Sequence, residues 1–174
     1  MKKLILTTTL FCFVALFSYP QESNPKFTVP EDYAFVNPED YANYEPQVIE
    51  AIDWYLWRSM AFDAGKRKEA SSFFLQWLIG SPSVTVEIQP DVANFFQTNP
   101  ELMMPFMMGW TKHSLENNSD DNIKGSIAGI EAVVRYYQKN RGFLKENKEV
   151  EKYAKMIEKN KLEKHIKKVL KNNK

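Results

Sequence analysis

Residues 121–140, DNIKGSIAGIEAVVRYYQKN, decide the fold because they predict one helix with two unlike faces. Large apolar side chains recur at helical spacing along one face, namely Ile123, Ile127, Ile130, Val134 and Tyr137. Small residues occupy nearly the opposite face, namely Gly125, Gly129 and Ala132. A glycine inside a helix costs roughly 1 kcal/mol against alanine, so the small face indicates a closely packed neighbour. We therefore expect this helix to lie between two layers of other helices.

The segments on either side of this central helix also show helical spacing. Residues 46–64 and 66–79 each predict a helix, and Pro46 suits the first turn of the earlier one. Residues 99–116 predict a short turn followed by an apolar helix, and Asp120 or Asp121 is expected to cap the helix after it. Beyond the central helix, two short amphipathic helices are predicted over 147–158 and 161–171, separated by Asn160 in the left-handed conformation.

These elements define an all-α domain over residues 45–172, a compact array of five to seven short helices. It is preceded at residues 19–44 by a proline-rich arm or linker, predicted to be extended because prolines disfavour helix there. Several aromatic residues in this arm indicate that part of it packs on the domain. The run at 84–88 alternates like a strand but has no partner, so it is expected to be an extended connector.

Residues 1–18 have the pattern of a secretory signal peptide. Two lysines precede an apolar run that is shorter than the roughly 20 residues needed to cross a bilayer. The run contains Cys12, the single cysteine of the chain, and the large Phe11 before it argues against lipid attachment. An uncleaved anchor is the alternative. The pattern predicts export to the periplasm or the extracellular space, with a mature chain that has no thiol.

The formal net charge of +1 hides a gradient along the sequence. Residues 19–64 carry 2 basic and 9 acidic side chains, residues 65–144 carry 8 of each, and residues 145–174 carry 11 and 5. The lysine-rich tail contains no arginine, and with export this argues against nucleic acid as a partner. It is interpreted as a solvated helix face that docks on the acidic N-terminal part, or as a weak contact with a membrane surface.

Candidate contact residues are aromatic, methionine and histidine side chains at helical spacing. They are Trp54, Trp57, Met103, Met104, Met107, Met108, Trp110 and His113. The two tryptophans lie three residues apart, so they are predicted neighbours on one helix face and could stack on a ligand. The methionines are interpreted as core, as an adaptable partner groove or as a Cu(I) site. The metal interpretation is disfavoured because His113 lies about 140° around the helix from Met108.

The sequence shows no pattern typical of a catalytic centre. Residues 80–83, GSPS, form a helix stop rather than a nucleophile elbow, and residues 125–129, GSIAG, lie inside a helix rather than in a phosphate loop. Carboxylates are plentiful, but no spacing marks an acid–base pair. We therefore predict no catalytic residue, no metal site and no cofactor.

The composition, rich in lysine, asparagine and aromatic residues, looks like that of exported proteins of Bacteroidota. The runs WLIGSP at residues 77–82 and NPELMMPFMMGW at residues 99–110 resemble segments of uncharacterised exported helical proteins of that type. This resemblance implies no particular activity. Residues 70–117 also resemble small periplasmic helical immunity proteins of type VI secretion, which implies inhibition of a secreted toxin. Those proteins usually carry paired cysteines, which the mature chain lacks.

These observations favour a non-enzymatic exported protein that binds another envelope or secreted protein. The alternatives are an immunity-type inhibitor of a toxin, and a small enzyme with an unrecognised site built from carboxylates and His113. A purely structural component of the cell envelope is a further hypothesis. The binding interpretation predicts an exposed apolar patch, whereas the enzyme interpretation predicts a pocket in which His113 or an acid is buried among polar partners.

Overall fold

The computed structural model describes residues 24–172, and within this range it consists of six α-helices, three one-turn 3-10 helices and irregular segments, without a strand. The helices are α1 (Pro38–Trp57), α2 (Ala64–Gly80), α3 (Met103–Asn117), α4 (Asn122–Lys139), α5 (Lys148–Glu158) and α6 (Leu162–Asn172). The predicted all-α class with five to seven helices is confirmed. The predicted signal peptide, Cys12 and the first five residues of the arm lie outside the described residues.

The small-residue face of α4 packs directly against α3, which is the close neighbour that the sequence predicts without identifying it. A Cβ atom added at Gly129 would lie 2.7 Å from Cδ2 of Phe106 and 2.9 Å from the Phe106 carbonyl oxygen. A Cβ atom added at Gly109 of α3 would lie 2.7 Å from the carbonyl oxygen of Ala128. The two backbones therefore approach each other too closely for larger residues at these positions.

The bulky face of α4 packs on the other side against α5 and α6. Buried side chains of α3 to α6 form a first core, which includes Phe106, Ile130, Val133, Tyr137, Val150, Tyr153, Leu162 and Ile166. The carboxylate of Asp121 caps α4 by accepting hydrogen bonds from the backbone N–H groups of Ile123 and Lys124. The central helix is thus enclosed between two layers, as predicted.

A second core joins the arm, α1 and α2. It contains Phe27, Val48, Ile52, Trp54, Phe73, Phe74 and Trp77, together with Met108 of α3. The aromatic arm residues surround Phe73: the ring centroids of Phe27, Tyr33 and Phe35 lie 5.8, 4.9 and 5.9 Å from its own. The prediction that part of the arm packs on the domain is therefore confirmed for its described residues.

The first helix begins and ends earlier than the sequence predicts. It starts at Pro38, with Pro46 in its interior, and it ends at Trp57, so Gly65 belongs to the first turn of α2. Pro46 lacks the N–H group that would bond to the Ala42 carbonyl, which normally disfavours such a position. The turn before the proline also has a tertiary contact, because Trp77 Nε1 donates a 2.9 Å hydrogen bond to the neighbouring Tyr41 carbonyl.

The C-terminal helices follow the prediction closely, but the lysine tail does not dock as expected. Asn160 separates α5 from α6 with a φ of 53°, in the left-handed region. Among the described residues, the ion pairs of α5 and α6 are local: Lys152 with Glu149, Lys167 with Glu163, and Arg141 with Glu151. None of them reaches the acidic arm or α1. No helix in the described range combines the length and apolar character needed to cross a bilayer.

Candidate functional site

Three of the eight predicted contact residues are core residues. Trp54, Met108 and Trp110 are each at most 1% exposed, so they are not available to a partner in this structure. Trp54 and Met108 belong to the second core, and Trp110 packs in the first core against Phe106 with ring centroids 5.9 Å apart. Burial of these large apolar groups gives them a stabilising role instead.

The remaining methionines do not form a common site. Met103 is partly exposed at the start of α3, whereas Met104 and Met107 are half-buried and pack against the second core. In the part of the chain that the structure describes, no three His, Cys, Asp or Glu side chains lie close enough together to hold a metal ion. The described contacts of Met104, Met107 and Met108 are packing contacts with the second core.

Trp57 and His113 lie in different helices but line one groove between α1, α3 and α4. This groove, which we call the His113 groove, encloses about 700 Å³. Its lining includes the small residues Gly109, Ala128 and Ala132. Charged side chains of both signs line it as well, namely Asp53, Lys112, Glu116, Glu131, Arg135 and Lys139. The close approach of α3 and α4 thus brings two predicted contact residues together among charged groups.

The carboxylates of the His113 groove are paired, whereas the ring of His113 is only partly satisfied. Lys112 forms ion pairs with Asp53 and Glu116, and Arg135 pairs with Glu131, so each of the three carboxylates has a cationic partner. The imidazole Nδ1 atom of His113 lies 3.3 Å from Nδ2 of Asn117. Its Nε2 atom is buried and has no hydrogen-bond partner within the protein. Buried polar atoms without a partner are uncommon in folded proteins, but this one does not itself face the open groove.

A basic side chain closes one end of the same groove. Lys139 Nζ donates hydrogen bonds to the carbonyl oxygens of Leu56 and Trp57, at 3.3 and 2.5 Å, where α1 ends. Burial lowers the pKa of Lys139 because it disfavours the charged form. The ring of Trp57 is also covered, since the Arg58 guanidinium carbon lies 4.7 Å from its centroid. Trp57 is therefore held in place and half-buried, rather than free to stack on a ligand with both faces.

Behind the groove lies a buried cation that the sequence did not indicate. The guanidinium carbon of Arg67 lies 3.9 Å from the ring centroid of Tyr55, and Nη2 donates a 2.6 Å hydrogen bond to the hydroxyl of Tyr136. Arg67 is 8% exposed, and no carboxylate forms an ion pair with it among the described residues. Burial raises the pKa of Tyr136, which also lines the groove.

A second groove of about 980 Å³, here called the lysine groove, lies along α5. Its basic side chains are Arg141, Lys148, Lys152, Lys155, Lys159 and Lys161, its acidic ones are Glu146 and Glu151, and Tyr137, Leu144 and Met156 line it too. The spacing of lysines in the sequence already indicated a basic helix face here. Residues 148, 152, 155 and 159 recur at helical spacing and therefore share one face of α5. Only the fold adds the residues of the preceding turn and the start of the next helix.

Comparison with known proteins assigns no function to either groove. No family model matches the chain, and neither the curated proteins nor the solved structures contain a match. The chemistry of each groove therefore has to be derived from its own side chains.

Proposed function

We propose that this chain is a non-enzymatic, exported binding protein that contacts another envelope or secreted protein through the His113 groove. The observation that carries the proposal is that Trp57 and His113, from two separate helices, line one open groove among charges of both signs. Mixed charge and an amphipathic aromatic ring are features by which protein surfaces recognise a polypeptide segment.

The same geometry argues less well for catalysis. General acid–base chemistry needs a carboxylate or imidazole within hydrogen-bond reach of a partner that tunes or orients it. Two of the groove carboxylates face Lys112, and in the described residues the hydrogen bond to the His113 ring comes from an exposed asparagine rather than from an acid. These contacts favour a role in recognition, with charge pattern rather than a reactive group as the determinant.

A pair of charge swaps tests the proposal without changing net charge. On α4, Glu131 and Arg135 form an exposed i,i+4 ion pair on the groove, and Glu131→Lys with Arg135→Glu reverses its polarity. On α6, Glu163 and Lys167 form a matched exposed i,i+4 pair that does not line the groove. The double variant Glu163→Lys with Lys167→Glu is therefore the control.

The measurement is capture of binding partners from the envelope and secreted fractions of the source cells, with wild type, groove swap and control swap as baits. We expect a partner that is retained by wild type and the control swap, and whose affinity for the groove swap falls by about tenfold or more, since like charges at an interface repel. Equal capture by all three baits would place the contact elsewhere. Absence of any partner that distinguishes the baits would contradict the proposed function.

A further inference from the structure

The lysine groove holds more positive charge than its neighbours neutralise. Arg141 is paired with Glu151, and Lys152 is paired with Glu149. The other four lysines of the groove, Lys148, Lys155, Lys159 and Lys161, have no ion pair in the described part of the chain. All four are exposed at one open depression, so their mutual repulsion is relieved when an anionic ligand binds among them.

An exposed aromatic side chain stands in the sequence between residues that line this groove. Phe143 lies in the chain between Arg141 and Leu144, which both line the groove, and it is 61% exposed. An aromatic ring beside a basic cluster is the combination that peripheral proteins use at the boundary between lipid headgroups and acyl chains. The groove lining itself includes the apolar side chains of Leu144 and Met156.

The chemistry of these groups suits a charged surface rather than one precisely oriented anion. Lysine ammonium groups are compact point charges, whereas the planar fork of arginine binds carboxylate and phosphate alike in a fixed geometry. The one arginine in the groove is occupied by Glu151. Furthermore, the apolar faces of α5 and α6 are used in the first core, through Val150, Tyr153 and Ile166. The helices therefore cannot insert their apolar faces into a bilayer without leaving the fold.

We propose that the lysine groove, together with Phe143, is a peripheral docking site for the surface of a bilayer that contains phosphate-bearing anionic lipids. The four lysines contact lipid phosphates, and Phe143 enters the headgroup boundary. This surface is separate from the His113 groove, so its failure would leave the proposed partner contact standing. It places the protein at a membrane surface by charge and one aromatic ring.

The test is binding of residues 19–174, the predicted mature chain, to vesicles with and without phosphatidylglycerol in phosphatidylcholine, at about 0.1 M salt. This range contains all the residues of both cores that the structure describes. Replacement of Lys148, Lys155, Lys159 and Lys161 by Gln should weaken binding to the anionic vesicles by more than about tenfold, because each basic residue near such a surface contributes about 1 kcal/mol. The matched control replaces four other exposed lysines that have no ion pair among residues 24–172, namely Lys68, Lys164, Lys168 and Lys171. It should change binding by less than about twofold, since these lie outside the groove.

Phe143→Ser is a second variant, which tests the contribution of the aromatic ring to vesicle affinity without changing the charge. It should lower vesicle affinity by a few-fold, and Phe143→Trp should show a blue-shifted emission only with anionic vesicles. Equal losses in both lysine sets would overturn the proposal in favour of diffuse attraction by the tail. Tight binding of soluble inorganic triphosphate without binding to vesicles would overturn it in favour of a small phosphorylated ligand. Absence of binding to anionic vesicles would refute it outright.

Discussion

Arg67 is a charged residue that is buried in this protein, although arginine side chains usually lie at the surface. In the sequence it stands in the run Lys66-Arg67-Lys68, which resembles a solvated face at the start of a helix. In the structure its guanidinium is enclosed between the ring of Tyr55 and the hydroxyl of Tyr136. A buried charge is costly unless its hydrogen bonds are satisfied, so these contacts hold α2 against α1 and α4. The composition of one helix cannot reveal this, because the partners come from two other helices.

The adjacent tyrosines of α4 allow this contact to be measured. Tyr136 accepts a hydrogen bond from the charged Arg67, whereas Tyr137 accepts one from the neutral backbone N–H of Asn147, at 3.0 Å. Tyr136→Phe should lower the free energy of unfolding by about 2 kcal/mol, because it leaves a charged buried donor without its acceptor. Tyr137→Phe should lower it by only about 1 kcal/mol. Urea unfolding of both variants checks the difference, and equal losses would contradict a special role for the buried cation.

At the scale of an element, α4 shows how much its own pattern predicts. The glycines and the apolar stripe predicted a helix between two neighbours, one of them close, and Asp120 or Asp121 was expected to cap it. The structure agrees, with Asp121 as the cap. The small-residue face of α4 did not predict which helix would be the close neighbour, because several other helices also have apolar faces. The start of α1 was missed for a related reason. A proline predicts a helix start from local geometry, while the turn before Pro46 is stabilised by distant contact with Trp77.

The close packing of α3 and α4 predicts an unusual response to alanine. In an open helix, Gly129→Ala would stabilise by roughly 1 kcal/mol through helix propensity. Here the new methyl group would meet backbone as well as the side chain of Phe106, so we expect a net destabilisation of about 1 to 3 kcal/mol. Gly142→Ala is the matched control, because nothing lies within 4 Å of its added Cβ. Thermal unfolding should separate the two variants, and a stabilised Gly129→Ala would show that the helices can move apart.

For the whole molecule, the sequence predicted the fold better than the candidate site. Helix number and most helix ends follow from local periodicity, whereas exposure of a side chain depends on which helices surround it. Trp54 and Trp57 have similar local surroundings, yet the first is core and the second lines a groove. The charge distribution was likewise only partly predictable. The sequence shows an acidic N-terminal part and a lysine-rich tail, but the described ion pairs of α5 and α6 are local and do not join the two. The lysine groove therefore stays open to other partners.

The arm gives the last test, because it decides whether residues 24–37 are a linker or part of the folded molecule. Phe27 is 3% exposed and packs against Phe73 in the second core, while Val36, in the same arm, is 78% exposed. Phe27→Ala should therefore lower the free energy of unfolding by about 3 kcal/mol, as expected for a large buried ring. Val36→Ala should change it by less than about 0.5 kcal/mol. If urea unfolding showed the same small effect for both, the arm would be a linker and α2 would need another cover for Phe73.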